Sequence, residues 1–364
     1  MVKKVSNKLC VNLGEKSYNI IIGEKNLDKV GTKIKEKLPQ VKKTFVISNP
    51  TVFPLYGKQV INSLKKANLD PTYGLMPDGE QYKTLEYAEK FYDQLLEHKM
   101  DRSSLIISLG GGVVGDLAGF VAATYMRGIN FVQLPTTLLA QVDSSIGGKV
   151  AVNHSKGKNL IGAFYQPAFV LIDVSTLTTL KKDEFKSGMG EVSKHGMALD
   201  ADYFTYIEEN SELILKLDFS VLIKLIYGSC QLKGEIVQKD EKEQGIRKVL
   251  NFGHTIGHAL ENIYDYKKYR HGEAVAIGMV CNSKIAYERG LIDKTHVKRL
   301  IKVLKKVGLP TELPLGVKVK DILSSMKNDK KSFQNKIPLI LPTNIGEVKL
   351  VYDWTESDLT VCFK

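Results

Sequence analysis

Three histidines in the second half of the chain have the type and spacing of metal ligands. His254 and His258 lie four residues apart and would share one face of a helix, and His271 follows soon after them. A pair of histidines with one carboxylate is a common catalytic zinc site, which leaves one coordination position open. The spacing predicts a divalent-metal site, with His254 and His258 as the simplest pair, but it does not determine which two histidines bind.

A carboxylate that could complete this site lies upstream. Glu191 and Lys194 are three residues apart on a predicted helix and would lie close together on its surface. The histidine pair is similar to the HExxH motif of zinc hydrolases, but Thr255 stands where that motif has its water-activating glutamate. A single histidine would more often be a core residue, whereas three within 18 residues favour a metal site.

A glycine-rich loop in the first half has the chemistry of a phosphate-binding turn. Gly110, Gly112 and Gly115 follow an apolar run and precede a predicted helix, as in the GxGxxG motif. Glycines let the backbone approach a pyrophosphate, whose charge is stabilised by free N–H groups at the helix start. The usual dinucleotide fingerprint has an acid about 20 residues later, but none occurs between Asp116 and Asp143. Phosphate or dinucleotide binding is favoured, with a simple tight turn as the alternative.

Basic and polar residues between these motifs would suit an anionic ligand. Arg127 and the segments 143–149, 156–162 and 240–247 place lysine, arginine and asparagine beside glycine and apolar residues. Such side chains bind phosphate or carboxylate groups. Each of them alone could equally be an ordinary surface charge.

Two secondary-structure patterns would position these motifs. In the first half, the apolar runs 44–48, 105–109, 131–134 and 169–173 alternate with helical stretches such as 84–97, which is typical of an α/β fold with a buried parallel sheet. Beyond about residue 180, helical periodicity covers 204–209, 221–239, 253–263 and 274–289, and a last strand is predicted at 337–341. We predict a Rossmann-like α/β domain over residues 1–178, a mostly α-helical domain over 179–364, and an active site in the cleft between them.

The composition indicates a soluble two-domain protein. A chain of 364 residues, of which 43% are apolar and 25% charged, is too long for one ordinary core. Its apolar runs are too short to cross a bilayer, and its first residues lack the features of a secretion signal. Four widely spaced cysteines are typical of reduced thiols in the cytoplasm. The net charge of +12 comes from dispersed lysines, so neither a nucleic acid nor a membrane is expected as a partner.

The sequence resembles the 3-dehydroquinate synthase family of the sugar-phosphate cyclase superfamily over nearly the whole chain. Nine ordered blocks carry the resemblance: 77–83, 110–116, 134–139, 143–149, 157–167, 190–194, 240–247, 251–261 and 271–278. Ser193 and His195 depart from the family pattern, in which an aliphatic residue and a tyrosine are usual. Glu191 and Lys194 are both kept.

The resemblance implies zinc or cobalt on Glu191, His254 and His271, and it leaves His258 for substrate contact or proton relay. It implies that NAD is bound by Asn49, Asp78, Gly79, Glu80, Gln81, Tyr82, Lys83, Gly112, Val113, Val114, Gly115, Asp116, Thr136, Thr137, Lys149, Lys158, Thr176, Leu177, Thr178 and Thr179. The implied catalytic residues are Lys149, Lys194, Lys233, Glu243, Arg247, Asn251 and His258. The implied substrate-binding residues are Asp143, Asn159, one of Lys330 and Lys331, and Arg127 from the partner subunit of a homodimer.

The implied reaction converts 3-deoxy-D-arabino-heptulosonate 7-phosphate, a phosphorylated sugar acid, to 3-dehydroquinate and phosphate in the shikimate pathway. It proceeds by transient oxidation with NAD, β-elimination of phosphate, reduction and intramolecular aldol closure. One alternative is another cyclase of this superfamily, such as 2-deoxy-scyllo-inosose synthase, and a second is a metal-dependent polyol dehydrogenase. Arg247 favours the first interpretation, because it can bind a substrate carboxylate that glucose 6-phosphate lacks.

Overall fold

The computed structural model describes residues 7–328 and 337–363. The chain forms two compact units, one of residues 1–180 with 222–242 and the other of residues 181–221 with 243–364. The segment 222–242 therefore belongs to the first unit, whereas the sequence-based division at residue 178 had placed it in the second. It packs there because Cys230 Sγ lies 3.3 Å from the carbonyl oxygen of Gln141 and Lys233 Nζ donates to the carbonyl oxygen of Asp143 at 2.7 Å.

A twisted, largely parallel sheet forms the centre of the first unit. Its strands are β1 (Lys8–Val11), β2 (Tyr18–Gly23), β3 (Lys43–Ser48), β4 (Asp70–Leu75), β5 (Leu105–Gly110), β6 (Asn130–Pro135) and β9 (Phe169–Asp173), in the order β1-β2-β9-β6-β5-β3-β4. Only the β1–β2 pair of this sheet is antiparallel. The four strands predicted from continuous apolar runs are confirmed as β3, β5, β6 and β9.

The helices in the described part of the chain are α1 (Val30–Lys37), α2 (Lys58–Lys66), α3 (Leu85–Glu97), α4 (Gly112–Thr124), α5 (Lys182–Leu199), α6 (Ala201–Leu215), α7 (Phe219–Lys239), α8 (His254–Ile263), α9 (His271–Glu288), α10 (Lys294–Lys306), α11 (Val319–Asn328) and α12 (Glu356–Thr360).

Helices of the first unit cover both faces of its central sheet. Phe45 and Ile106 pack in one core cluster with residues of α3 and α4. Their neighbours Val46 and Ile107 pack in another with residues of α1 and α2, as strand alternation requires.

The carboxyl ends of the parallel strands gather the residues that the family resemblance assigns to NAD. Asn49 follows β3, the segment 78–83 follows β4, the segment 112–116 follows β5, Thr136 follows β6, and the segment 176–179 follows β9. Parallel strands present their carboxyl ends at one edge of the sheet, so these loops lie along the same edge. The chain runs from β3 outward to β4 and then back to β5 on the other side, and such a reversal opens a ligand crevice in doubly wound sheets.

A hairpin of β7 (Lys149–His154) and β8 (Gly157–Phe164) completes the first unit. The sequence pattern did not predict it, because β8 is mostly exposed and carries no apolar alternation. Strand β7 of this hairpin packs on α4. The two elements are so close that a Cβ added to Gly119 would lie 2.3 Å from the Val150 side chain. The hairpin carries Lys149, Lys158 and Asn159.

The second unit is mainly helical, as predicted, and adds a hairpin of β10 (Leu339–Asn344) and β11 (Glu347–Val351). It contains α5, α6 and α8 to α12 among the described residues. Helix α9 is its central element, and the side chains from Ala274 to Ser283 are all buried. In the described part of the chain, no helix combines the length and the apolar character needed to span a membrane.

Candidate active site

Three helices of the second unit bring the predicted metal ligands together. Glu191 lies on α5, His254 begins α8 and His271 begins α9. Glu191 Oε1 lies 3.5 Å from His254 Nε2 and 3.4 Å from His271 Nε2. One ligand atom from each residue lies within 4.8 Å of the other two, so one ion could contact all three.

Glycines allow the backbones of these helices to approach closely enough for the ligands to meet. A Cβ added to Gly272, next to His271, would lie 1.8 Å from the carbonyl oxygen of Ser187 on α5. A Cβ on Gly278 would lie 1.9 Å from the carbonyl oxygen of Gly253, next to His254. Any larger residue at these positions would push α9 away from its neighbours. The glycine pattern around the histidines therefore reflects helix packing.

In each candidate histidine ligand, the ring nitrogen that points away from Glu191, Nδ1, faces a hydrogen-bond acceptor. His254 Nδ1 lies 3.2 Å from the carbonyl oxygen of Phe252, and His271 Nδ1 lies 3.4 Å from Glu261 Oε1. Metal-binding histidines commonly donate their second ring N–H in this way, which fixes the tautomer with a lone pair on the inner nitrogen. Both rings direct Nε2 toward Glu191, so their orientation fits metal binding.

Charge in this cluster also fits a cation. Glu191 is fully buried, and neither of its carboxylate oxygens has a hydrogen bond of normal geometry, although the Lys194 ammonium is in contact with it. Burial acts to raise the pKa of Glu191, but Lys194 and the two imidazoles outweigh it and hold the pKa well below the usual range. A buried carboxylate of this kind requires a cationic partner; Lys194 is one here, and a bound metal ion would be another.

The two candidate histidine ligands differ in their protonation. Burial holds the pKa of His254 well below its ordinary value, which leaves the ring neutral, as a metal ligand must be. Burial acts to lower the pKa of His271 too, but the carboxylates of Glu191 and Glu261 raise it to about 10. Binding of a metal at His271 would therefore displace a proton.

His258 shares a helix face with His254, as the spacing predicted, and the two ring centroids are 5.3 Å apart. Its Nε2 atom lies 4.0 Å from Glu261 Oε2, and its side chain is 28% exposed. His258 groups with Glu261 and His271 in the cluster, whereas His254 groups with Glu191 and His271. Glu261 did not emerge from the sequence motifs, although its spacing of three residues from His258 on α8 is a signal that could have found it.

Other predicted residues of the second unit lie on neighbouring elements. Lys194 and Arg247 are each only 2% exposed, and such buried cations are rare unless they are paired. Asn251 Nδ2 donates to Glu243 Oε1 at 2.9 Å. Arg247 and Asn251 lie in the short helical segment Ile246–Asn251, which contacts α5.

The remaining predicted substrate residues lie in the first unit or outside the described residues. Lys233 on α7 contacts the Asp143 carboxylate at 2.5 Å. Lys149 and Asn159 lie on the β7–β8 hairpin with exposed side chains, and Arg127 is exposed on a turn after α4 with φ of 69°. Two predicted phosphate-binding candidates, Lys330 and Lys331, lie outside the described residues.

The glycine loop forms the helix N-terminus that the sequence predicts. Helix α4 starts at Gly112 directly after β5, and a Cβ on Gly112 would lie 2.9 Å from Ser144 Oγ. Lys83 Nζ binds Asp116 Oδ2 at 2.9 Å and Glu80 Oε1 at 3.0 Å. Burial opposes charge on Lys83, but the two carboxylates raise its pKa above the usual value, so it stays cationic. This ion cluster joins the loop after β4 to the start of α4.

Comparison with known families identifies the family of this chain. The chain matches the family model described as 3-dehydroquinate synthase N-terminal over residues 74–187 and the one described as 3-dehydroquinate synthase C-terminal over residues 188–332. The chain belongs to the 3-dehydroquinate synthase family. A 3-dehydroquinate synthase from Desulforamulus reducens is 50% identical over 96% of this chain and 97% of that protein. One from Picosynechococcus is 47% identical over 96% of each.

Solved structures of sugar-phosphate cyclases have the same fold. The 2-epi-5-epi-valiolone synthase of Streptomyces hygroscopicus subsp. jinggangensis, with NAD+ and Zn2+ bound, superposes with a TM-score of 0.88, 25% identity and coverage of 97% of both chains. A 2-deoxy-scyllo-inosose synthase with carbaglucose-6-phosphate, NAD+ and Co2+ gives 0.85, 26% identity and coverage of 98% of this chain and 99% of the other. The identity with the 3-dehydroquinate synthases is about twice as high, so the chain is an enzyme of the lyase type.

An NADH-dependent butanol dehydrogenase from Thermotoga maritima superposes with a TM-score of 0.65 and 17% identity over 94% of this chain and 95% of the other. This likeness shows a shared fold and nothing about the reaction. The two family models and the near-full-length relatives favour the synthase over the polyol dehydrogenase alternative.

Proposed function

We propose that this chain is a 3-dehydroquinate synthase that converts 3-deoxy-D-arabino-heptulosonate 7-phosphate to 3-dehydroquinate and phosphate. The observation that carries the proposal is the convergence of Glu191, His254 and His271 beside the buried Lys194. Identity of 50% with a 3-dehydroquinate synthase over nearly the full length of both chains supports the same chemistry.

The metal would be zinc or cobalt, held by Glu191, His254 and His271, and related cyclases bind Zn2+ or Co2+ together with NAD+. When bound, the metal would lower the pKa of the substrate hydroxyl that is oxidised, and NAD would take up a hydride and later return it. NAD would lie along the loops after β3, β4, β5, β6 and β9. There its pyrophosphate could accept hydrogen bonds from the backbone N–H groups at the start of α4.

The cationic residues of the chain would bind the charges of the substrate and stabilise them as they change. Arg247 would hold the substrate carboxylate, for which its planar guanidinium is suited. Lys194 would stabilise negative charge that develops on the oxygen beside the metal ligands. Its buried position excludes water, which strengthens such an interaction.

Two further pairs would orient the reacting groups. Lys233 is held by the Asp143 carboxylate at 2.5 Å, and Asn251 is held by Glu243 at 2.9 Å, so these side chains are positioned before the substrate arrives. His258 would contact the substrate and relay a proton. Phosphate would leave in a β-elimination in which one of its own oxygens is a suitable base. After the hydride has returned to the ketone, the protein would hold the intermediate in one geometry for ring opening and aldol closure.

The other cyclases of the superfamily provide the main alternative. 2-Deoxy-scyllo-inosose synthase acts on a phosphorylated sugar without a carboxylate, so it has no need of an arginine for that group. Arg247 is present here and is buried close to α5. Its presence favours the sugar acid as substrate.

We also propose that the chain works as a homodimer in the cytoplasm, without a nucleic-acid partner. Arg127 is exposed at a turn and could reach a substrate phosphate bound by a second copy. The lysines that produce the net charge of +12 are dispersed along the sequence. Dispersed lysines are typical of a solvated surface.

Phosphate release from two substrates tests the proposal. The purified chain, loaded with NAD+ and zinc or cobalt, is incubated separately with 3-deoxy-D-arabino-heptulosonate 7-phosphate and with glucose 6-phosphate. We expect phosphate only from the heptulosonate, without net formation of NADH, and loss of the activity with a chelator. Release from glucose 6-phosphate alone, or stoichiometric NADH with a simple polyol, would reject the proposal.

A further inference from the structure

We propose that Glu261 is a positioning residue that orients two histidines of the active site at once, His271 for the metal and His258 for the substrate. The inference rests on the proposed metal site and adds a residue to it. It depends on the two oxygens of one buried carboxylate and on the atoms that they face.

Each oxygen of Glu261 faces a different histidine. Oε1 lies 3.4 Å from His271 Nδ1, within hydrogen-bonding distance, whereas Oε2 lies 4.0 Å from His258 Nε2, an electrostatic contact that is longer than a hydrogen bond. The residue is 7% exposed, so solvent has little access to compete for these contacts. His258 and Glu261 are three residues apart on α8 and share a face, whereas His271 comes from α9. One carboxylate therefore ties the two helices together at the site.

Glu261 contacts the ring nitrogen of His271 that is not directed toward the proposed metal. Nε2 of His271 points toward Glu191, so Nδ1 is the nitrogen that can donate a hydrogen bond to a second residue. A carboxylate that accepts this N–H fixes the tautomer, holds the ring plane and makes Nε2 a stronger ligand. His254 has the carbonyl oxygen of Phe252 in the same role, and a neutral carbonyl gives a weaker effect than a carboxylate.

A carboxylate nearby provides a matched control. Glu273 Oε2 accepts a hydrogen bond from the backbone N–H of Arg270 at 2.8 Å and so caps the same end of α9. It stabilises the helix start beside His271 through the backbone, whereas Glu261 contacts the imidazole. A loss of metal binding caused only by loosening of this helix end would therefore follow from changes at Glu273 as well.

The test uses the full chain with Co2+ as the probe, and compares Glu261→Gln, Glu261→Leu and Glu273→Leu with the unaltered protein. Affinity is measured by competition with a chelator, and the visible absorption of bound Co2+ reports the geometry of its ligands. We expect Glu261→Leu to weaken Co2+ binding about 10-fold to 100-fold and to shift the spectrum. Glu261→Gln retains an acceptor for His271 and should recover part of the affinity. Glu273→Leu removes the cap at the start of α9 but no contact with an imidazole, and it should leave both readouts unchanged.

The results separate this inference from the proposed function. If the unaltered protein does not bind Co2+, the proposed metal site itself fails. If it binds one Co2+ and Glu261→Leu, shown to be folded by circular dichroism, binds with the same affinity and spectrum, the positioning role is rejected. Two bound ions in the unaltered protein, with one lost in both Glu261 variants, would also reject it, because Glu261 would then be a ligand.

Discussion

The Oε1 atom of Glu191 lies 3.4 Å from Nε2 of His271, although α6, α7 and α8 separate the helices that carry these residues in the chain. This contact depends on the close approach of α5 and α9 at Gly272. The candidate metal site is therefore a product of tertiary packing. Changes that loosen this packing should affect metal binding even when they leave the ligands in place.

Substitution of Lys194 should separate metal binding from catalysis. Lys194 contacts Glu191, and its removal by Lys194→Met frees that carboxylate for the metal, so Co2+ affinity should not fall. The rate of phosphate release should fall about 100-fold to 1,000-fold, because the buried charge that we propose to stabilise the reacting oxygen is lost. Chelator competition and a phosphate assay measure the two effects.

The half-exposed Lys186 on the same helix provides the control. Lys186→Met should change neither the affinity nor the rate. Loss of Co2+ from Lys194→Met would show that Lys194 supports the metal site structurally, contrary to the proposed role.

A single methyl group at Gly272 should destabilise the second unit. The Cβ of Gly272→Ala would lie 1.8 Å from the Ser187 carbonyl oxygen, so α5 and α9 must move apart. Overpacking of this kind costs about 1–3 kcal/mol, and thermal unfolding monitored by circular dichroism should show a lower Tm. Co2+ affinity should fall in parallel, because Glu191 and His271 separate.

The matched control is Gly234→Ala in the interior of α7, where the new Cβ would meet Val11 at an ordinary contact distance of 3.5 Å. Alanine restricts the unfolded chain more than glycine, so this change should stabilise the protein by up to about 1 kcal/mol. Equal losses of Tm in both variants would contradict the packing argument.

The Arg289–Asp358 ion pair should make stability depend on pH. Arg289 Nε and Nη2 donate to the two oxygens of Asp358 at 2.7 and 2.9 Å, and this hydrogen bonding, which outweighs partial burial, holds the pKa of Asp358 below its ordinary value. A carboxyl with a depressed folded pKa contributes stability above its unfolded pKa of about 4 and loses it as the pH falls through the folded value. Asp358→Asn should lower the free energy of unfolding at pH 7 by about 1–2 kcal/mol and have less effect at pH 3.

Asp353 is the control for this pair, because it also contacts Arg289, at 3.3 Å, but its side chain is 86% exposed. An exposed ion pair contributes about 0–1 kcal/mol, so Asp353→Asn should change stability little at either pH. Urea unfolding at pH 7 and pH 3 measures both variants. A larger loss for Asp353→Asn than for Asp358→Asn would contradict the assignment.

The elements that could be predicted from the sequence are those whose burial is complete. β3, β5, β6 and β9 are covered on both faces and read as continuous apolar runs, and α8 and α9 have clear helical periodicity. The β7–β8 hairpin was missed, since β8 is exposed and its sequence of glycine and polar residues resembles a loop.

The choice between His258 and His271 could not be made from spacing. An i, i+4 pair is visible locally, and His254 with His258 satisfies it. The position of His271 depends on the contact between α8 and α9, which Gly278 permits by its approach to the Gly253 carbonyl oxygen. The contact of Glu261 with His271 depends on the same approach of α8 and α9, so this part of its role became visible only in the folded structure.

The metal content of two histidine variants tests the proposed ligand set, Glu191, His254 and His271, most directly. His271→Ala and His258→Ala are purified, shown to be folded, dialysed against a weak chelator and analysed for zinc or cobalt per chain. We expect His271→Ala to lose the metal, because a proposed ligand is missing, and His258→Ala to keep the metal and lose phosphate release. Retention of metal by His271→Ala with its loss from His258→Ala would reject the proposed ligand set and favour the His254–His258 pair on α8 as the metal ligands.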